Sequence, residues 1–150
     1  MNKLKIFSLT IVILNIALIL ALTLQDAATT IQLSTETRDT VVQLTNTPVE
    51  VAQQSWWYLN IRKLGHIPEY LALGLTMTFA WYVTRGRVLY WRSLFLCALV
   101  SLSDQIIKGF LPTREFDATD LPFDLVGYVV GILVVTVVVR ICERKKKSVK

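Results

Sequence analysis

A polar stretch between two apolar runs carries the densest charge in the sequence. Residues 104–124, DQIIKGFLPTREFDATDLPFD, follow the run LFLCALVSL and precede the run LVGYVVGILVVTVVV. The charged residues of the stretch are Asp104, Lys108, Arg114, Glu115, Asp117, Asp120 and Asp124. Charged side chains beside such apolar sequence are costly unless they are paired, hydrated or functional. This stretch is therefore the first place to expect a functional site.

A second polar group opens an apolar run earlier in the chain. Lys63, His66 and Tyr70 are spaced i, i+3 and i+7, so they share one face of a helix, although Pro68 is expected to disturb the register somewhat. His66 is the only histidine in the chain, which excludes a multi-histidine metal site. It is either a structural hydrogen-bonding residue or a titrating group that contacts a ligand.

Four interpretations of these polar residues stay open. The carboxylates can bind a divalent cation, or they can orient Lys63, Lys108 and Arg114 as a receptor for an anion. His66 and Asp120 can act as an acid and base pair. The residues can also form a purely structural network of ion pairs. The sequence contains no recognisable nucleophile elbow and no phosphate-binding glycine loop.

The expected site combines both polar groups. Its ligand-binding residues are predicted to be Lys63, His66, Tyr70, Asp104, Lys108, Arg114, Asp120 and Asp124. Lys63, Lys108 and Arg114 would contact an anion, and the three aspartates would position them. Catalytic residues stay unknown, with His66 and Asp120 as candidates. Neither a metal ion nor a cofactor is expected.

Four apolar blocks are long enough to be membrane helices. They cover residues 6–24, 67–84, 88–102 and about 125–139, in a chain that is 53% hydrophobic. The expected fold class is an all-α membrane protein with four transmembrane helices and a short helical extracytoplasmic segment between the first two. A secretory signal peptide is an alternative for the first block, but its apolar run is long for one and no clean cleavage site follows.

The distribution of charge predicts the orientation. With four spans, most of the 16 Lys and Arg residues lie on the side of both termini, and nearly all of the 11 Asp and Glu residues lie on the opposite side. The positive-inside rule then places both termini in the cytoplasm. The basic tail ERKKKSVK is expected to anchor the topology and touch anionic lipid; a nucleic-acid partner is not expected.

The extracytoplasmic segment is expected to be partly helical. Residues 25–31 are predicted to form a flexible connection, and residues 34–46 a short amphipathic helix that starts at a Ser or Thr cap. Pro48 is predicted in the first turn of a second helix that continues through residue 65. Trp56, Trp57 and Tyr58 are expected to anchor that helix at the membrane interface.

The ends of the third and fourth spans are predicted to point their charges inward. If the third helix continues past Leu102, Asp104 and Lys108 lie four residues apart on one face and can pair. Gly127 and Gly131 continue the stripe of Asp120 and Asp124 and favour close packing against another helix.

The two polar motifs together resemble the VanZ-like family of small bacterial membrane proteins, and the resemblance covers about residues 59–135. Lys63, His66 and Tyr70, followed by Leu73 and Gly74, match the family's first motif. The second motif is matched by Asp104, Phe110, Arg114, Asp120, Gly127 and Gly131. The resemblance implies a bacterial cell-membrane location and an association with low-level resistance to the glycopeptide teicoplanin.

The chain departs from the family's second motif at four positions. Gln105 stands where the family usually has Glu, Lys108 where it has Gln, Asp124 where it has Asn, and Thr113 where it has Gly. A family activity that depends on the Glu would be altered in this chain. An electrostatic receptor would only have its charge redistributed.

The resemblance and the charge pattern divide the chain into four parts. These are an N-terminal transmembrane anchor (1–24), an extracytoplasmic segment (25–58), a VanZ-like three-helix membrane region (59–142) and a basic cytoplasmic tail (143–150). The function expected is an extracytoplasmic polar site that engages an envelope component and influences teicoplanin susceptibility. Membrane lipid, a cell-wall precursor or lipid headgroup, and a membrane protein are the candidate partners. The alternative is a non-catalytic scaffold or assembly partner of a membrane complex.

Overall fold

The computed structural model describes residues 2–148, and the side chains of residues 2–145. Within this range the protein is helical and contains no strand. The helices are α1 (Lys3–Thr23), α2 (Ala27–Thr45), α3 (Val49–Gln53), α4 (Trp56–Leu59), α5 (Ile61–Arg85), α6 (Tyr90–Phe110) and α7 (Leu121–Ser148). The all-α prediction is therefore confirmed.

Three helices of the described part are long and apolar enough to cross a membrane. They are Lys3–Thr23, Tyr90–Phe110 and Leu121–Lys145. Helix α5 has 25 residues but is less apolar, because Lys63, His66 and Glu69 lie in its first half. Many apolar side chains of α1 face outward, with Ile13 66% exposed and Leu14 62% exposed. Such surfaces suit lipid contact, as expected for a membrane-spanning protein.

Helices α5 and α7 pack with almost no space between their backbones. A Cβ atom added to Gly127 would lie 2.5 Å from the Ile67 carbonyl oxygen, and one added to Gly131 would lie 2.5 Å from that of Leu71. Gly74 of α5 lies equally close to the backbone of Tyr128. The predicted close packing of the glycine stripe is confirmed, and its partner is α5.

The core lies among the four long helices. Val12 and Ile19 of α1 join Tyr70, Leu73 and Met77 of α5 there, with Cys97 of α6 and Tyr128 and Ile132 of α7. The buried face of α6 comprises Ser93, Cys97, Ser101, Asp104, Gln105 and Lys108. This stripe repeats every three to four residues. The residues of this stripe are small at the start of α6 and charged or polar at its end. The face of α6 that packs against the other helices therefore also places charged side chains inside the bundle.

Helix α2 starts earlier than the sequence suggested. Residues 25–31 were expected to be flexible, but α2 begins at Ala27 because Asp26 caps it: the Thr29 backbone N–H donates to Asp26 Oδ1 at 2.8 Å. Aspartate is a preferred N-cap residue. The hydrogen bonds from Thr29 hold the pKa of Asp26 below its usual value.

The single helix expected from Pro48 to residue 65 is also wrong, since the structure divides it into α3, α4 and the start of α5. Pro48 caps α3 instead of lying in its first turn. At the two breaks, Ser55 Oγ donates to the Val51 carbonyl at 3.1 Å, and Asn60 Nδ2 donates to the Trp56 carbonyl at 2.9 Å. Side chains that bond local carbonyls in this way compete with a continuous helix.

Candidate functional site: a charged cavity at one end of the bundle

The ends of α1 and α6 and the starts of α5 and α7 meet at one end of the bundle, called the loop end below. A cavity of about 780 Å³ lies there, closed on one side by α2 and on another by the α6–α7 loop. Helix α2 contributes Thr30, Ser34 and Thr37 to its wall. The cavity is large enough for a small-molecule ligand, since such pockets usually measure about 300–1,000 Å³.

His66 lies at the floor of the cavity between two carboxylates. Its Nδ1 atom is 2.8 Å from Asp124 Oδ1, and its Nε2 atom is 3.3 Å from Asp120 Oδ2. Asp120 precedes α7 and Asp124 lies in its first turn, so α7 delivers both carboxylates to one side of α5. Asp124 also accepts a hydrogen bond from Ser101 Oγ at 2.6 Å. The imidazole is thus held from both sides in a buried position.

Lys108 lies beside this group and pairs with Asp104. Its Nζ donates to Asp104 Oδ2 at 2.7 Å and lies 3.9 Å from Asp120 Oδ2. The prediction that Asp104 and Lys108 pair across one turn is confirmed, because α6 continues to Phe110. Thr23, at the end of α1, donates from its hydroxyl to Asp104 Oδ1. This contact joins α1 to the charged end of α6.

Gln105 connects two of the three buried aspartates of the cluster. Its Nε2 atom is 3.3 Å from Asp104 Oδ2 and 3.4 Å from Asp120 Oδ2. Its Oε1 atom accepts from the Asp117 backbone N–H at 3.4 Å. The side chain is completely buried. An amide can donate to two carboxylates where a carboxylate would repel them, so Gln105 suits a site rich in aspartate.

Arg114 holds the α1–α2 turn in place. Its Nε atom donates to the Gln25 carbonyl at 3.0 Å, and its Nη2 atom donates to the Leu22 carbonyl at 3.3 Å and to the Thr30 hydroxyl. Burial lowers the pKa of Arg114, although a guanidinium stays charged. These three acceptors engage Nε and Nη2 of Arg114, which leaves fewer of its five N–H donors for an anion.

Lys63 lies at the rim and contacts the α6–α7 loop. Its Nζ donates to Thr119 Oγ1 and lies 3.8 Å from Asp117 Oδ2. Arg62 Nη2 approaches the same oxygen at 3.4 Å. The Thr119 hydroxyl and backbone N–H both donate to Asp117 and hold the pKa of its carboxyl below its usual value. Asp117 therefore organises the loop that borders the cavity.

The structure brings together five of the eight predicted ligand-binding residues: His66, Asp104, Lys108, Asp120 and Asp124. Arg114 lines the cavity but is occupied by the turn, and Lys63 is at the rim. Tyr70 is buried beneath His66, with the two rings stacked at 6.2 Å. Its hydroxyl has no hydrogen-bond partner among the described residues.

Several residues at the site had not been predicted. Thr23, Gln105 and Ser101 contact the aspartates, and Arg62 and Glu69 line the cavity. Ser101 and Gln105 share the helical face of Asp104 and Lys108, so the spacing on α6 could have indicated them. Thr23 gave no such signal, because only the packing of α1 against α6 brings it to Asp104.

The charges that line the cavity are predominantly acidic. Glu69, Asp104, Glu115, Asp117 and Asp120 line it, against the bases Arg62, Lys108 and Arg114. Burial alone would raise the pKa of Asp120, but the contact with His66 and the nearby charge of Lys108 hold it below its usual value. Since acids outnumber bases and the bases are largely paired, the cavity as a whole does not suit a simple anion.

A family model described as VanZ/LLP1 matches residues 9–140. The match extends well beyond the region that carries the sequence motifs and includes α1 and α2. No curated protein and no solved structure matches the chain.

Proposed function

The chain belongs to the VanZ/LLP1 family, and we propose that its cavity binds the polar headgroup of a cell-envelope amphiphile. The observation that carries the proposal is the cavity of about 780 Å³ whose wall combines charges of both signs with apolar side chains. Leu22, Ile31 and Phe116 are among the apolar ones. A wall that combines apolar and polar side chains suits a molecule that carries both kinds of group.

The proposed membrane arrangement has four spans with the loop end outside the cell. Helix α5 is the fourth span: it is long enough for a bilayer core and packs along α7. The opposite end of the bundle carries Arg85, Arg87, Arg92, Arg140 and Lys145. The positive-inside rule assigns that end to the cytoplasm, together with both termini. The headgroup site would then face the bacterial envelope.

The ligand chemistry follows from the charges in the cavity. Arg62, which stays half-exposed beside Asp117, is the base that would contact an anionic part of the headgroup, while Lys108 stays paired with Asp104. The buried Asp104 and Asp120, with Glu69 on the cavity wall, would accept hydrogen bonds from hydroxyl or ammonium groups. A zwitterionic or hydroxyl-rich headgroup suits this set better than a bare phosphate. Lys63 and Arg114, which the sequence placed among the anion contacts, act in this proposal by shaping the cavity.

A cavity-filling substitution tests the proposal. Gly65 lines the cavity, and a Cβ atom added there meets nothing within 4 Å. Gly65→Phe is expected to fold and to exclude the ligand, whereas Thr40→Phe adds the same bulk on an exposed position of α2. Lipids that co-purify with each variant are identified by mass spectrometry, and teicoplanin susceptibility of the host is measured in parallel. If the wild type, Gly65→Phe and Thr40→Phe all co-purify with the same lipids, the cavity does not bind a headgroup.

A second candidate function is hydrolysis or group transfer at the same site. It is favoured by the contacts of His66 with Asp120 and Asp124, because an imidazole between carboxylates can hold or move a proton. Asp120→Asn separates the two functions. Retained lipid binding with a lost host phenotype would favour catalysis, and retention of both would favour binding alone.

The scaffold alternative loses one of its two expected surfaces. Gly127 and Gly131 contact α5 within the chain, so this stripe is not free for another protein. The segment of α2–α4 is then the surface through which a partner would bind. A stoichiometric protein crosslinked to α2 would favour the scaffold function over the headgroup site.

A further inference from the structure

Two buried atoms at the floor of the cavity face each other without forming a hydrogen bond. His66 Nδ1 lies 2.8 Å from Asp124 Oδ1, yet neither atom has an aligned hydrogen-bond partner among the described residues. Asp124 is completely buried and His66 is 8% exposed. Buried polar atoms are nearly always paired, so this arrangement needs another explanation.

The geometry resembles two ligands of one metal ion. Ligand atoms that each lie about 2.1 Å from a metal are about 3 Å apart at right angles and about 3.4 Å apart in a tetrahedron. Asp104 supplies a third group: one ligand atom each from His66, Asp104 and Asp124 all lie within 4.8 Å of one another. Because these residues belong to α5, α6 and α7, three separate helices converge on the point.

The surroundings of His66 also match a metal ligand. A histidine that binds a metal through one nitrogen usually donates its other N–H to a carboxylate, which fixes the ring. His66 Nε2 lies 3.3 Å from Asp120 Oδ2, while Nδ1 faces Asp124 Oδ1. Three buried carboxylates also concentrate negative charge that Lys108 only partly balances.

We propose that His66 Nδ1, Asp124 and Asp104 bind one divalent cation at the floor of the cavity, with Asp120 orienting the imidazole. One nitrogen and two carboxylate ligands suit Zn²⁺ or Mn²⁺ better than Ca²⁺, which prefers oxygen alone. The sequence analysis expected no metal ion, although its single histidine excluded only a multi-histidine site. A single histidine is sufficient when carboxylates complete the ligand set.

Lys108 is the competitor for this cation. Its ammonium lies 2.7 Å from Asp104 Oδ2, where a divalent ion would draw on the same carboxylate. The ion and the ammonium therefore repel each other across Asp104, and removing the ammonium should strengthen metal binding.

The experiment uses the purified full-length protein in detergent, stripped with a chelator and titrated with Zn²⁺ or Mn²⁺ alone by calorimetry. The wild type is expected to bind one ion per chain. His66→Asn and Asp124→Asn should each weaken binding by about 100-fold or more, and Asp120→Asn by about 10–100-fold. Lys108→Met should bind more tightly. Asp39→Asn, which removes an exposed carboxylate of α2, should bind as the wild type does.

The outcomes separate the proposal from its rivals. Absence of stoichiometric binding in the wild type would overturn it. This includes the case in which only Lys108→Met binds the ion, because the lysine ammonium would then occupy the cation site of this chain. Binding that survives both His66→Asn and Asp124→Asn would also overturn it. X-ray absorption of the zinc-loaded wild type needs no variant to fold and should show one imidazole in a shell otherwise made of oxygen. The readout here is the metal ion and its ligands, so a failure leaves the lipid-identification test of the headgroup proposal unaffected.

Discussion

At the scale of single residues, charge-bearing side chains at the loop end have different tasks. Lys108 pairs with the buried Asp104, and His66 contacts Asp124 at the floor of the cavity. Arg114 ties down the α1–α2 turn through backbone carbonyls. A positive charge in a polar stretch therefore does not by itself identify an anion contact, because an arginine can be consumed by structural acceptors.

Arg114→Lys tests this division of tasks. Lysine keeps the charge, but its compact ammonium cannot donate to Gln25, Leu22 and Thr30 in the geometry of the planar guanidinium. We expect the free energy of unfolding to fall by about 1.5–3 kcal/mol, the range for hydrogen bonds to a charged group. Thermal melting in detergent measures the change, and Arg87→Lys at an exposed position serves as the control. Equal melting temperatures would mean that charge alone matters at position 114.

At the scale of elements, the contact between α5 and α7 sets the site. Gly127 and Gly131 let the two backbones touch, and this closeness carries Asp120 and Asp124 onto His66. Side chains at these positions would separate the helices, and the histidine would lose its carboxylates. The glycines are therefore as important to the site as the residues that line it.

Gly131→Val should disrupt the bundle. Its Cβ would lie 2.5 Å from the Leu71 carbonyl oxygen and 2.7 Å from the Leu75 nitrogen, and backbone atoms of a packed helix cannot move aside. Overpacking usually costs about 1–3 kcal/mol, and a backbone clash belongs at the upper end. Gly65→Ala on α5 meets open space and should be neutral or stabilising. Size-exclusion profiles and melting curves are measured for Gly131→Val and Gly65→Ala. Equal melting temperatures for the two variants would contradict the close contact between α5 and α7.

At the scale of the whole molecule, the helices at the loop end surround a cavity that α2 closes on one side. Helix α2 lies over the ends of α1 and α5, fastened by Arg114 and by Arg38, whose Nε donates to the Tyr58 carbonyl at 2.8 Å. Three helices are long and apolar enough for a membrane. Whether α5 also crosses the membrane determines if the loop end lies on the opposite side from both termini.

Cysteine labelling decides the topology. Cys142 is exposed and Cys97 is buried, so native Cys142 reports the C-terminal side. Ser34→Cys and Arg87→Cys are each placed in a Cys142→Ser background. A membrane-impermeant thiol reagent added to intact cells should label Ser34→Cys but neither Arg87→Cys nor native Cys142. Labelling of Ser34→Cys and Arg87→Cys alike would show that α5 does not cross the membrane.

The amino-acid sequence by itself determined the helices and much of the charged cluster. Long apolar runs require helices in a bilayer, because a helix satisfies its own backbone groups. The four-residue spacing of Asp104 and Lys108 fixed their pairing once α6 was long enough. Local patterns predicted the helix limits less well near residues 25–31 and 48–60. There, capping by Asp26 and hydrogen bonds from the Ser55 and Asn60 side chains decided where helices begin and end.

Only the tertiary structure decided which distant groups meet. Thr23 reaches Asp104, and Arg114 reaches Gln25, across separations of 81 and 89 residues. His66 acquires its two aspartates because glycines on α7 admit the backbone of α5. Such contacts depend on how helices pack, and packing depends on the shapes of whole faces and not on the spacing along one segment. The sequence thus determined which charges the protein carries at its loop end, and packing decided which of them are paired and which face the cavity.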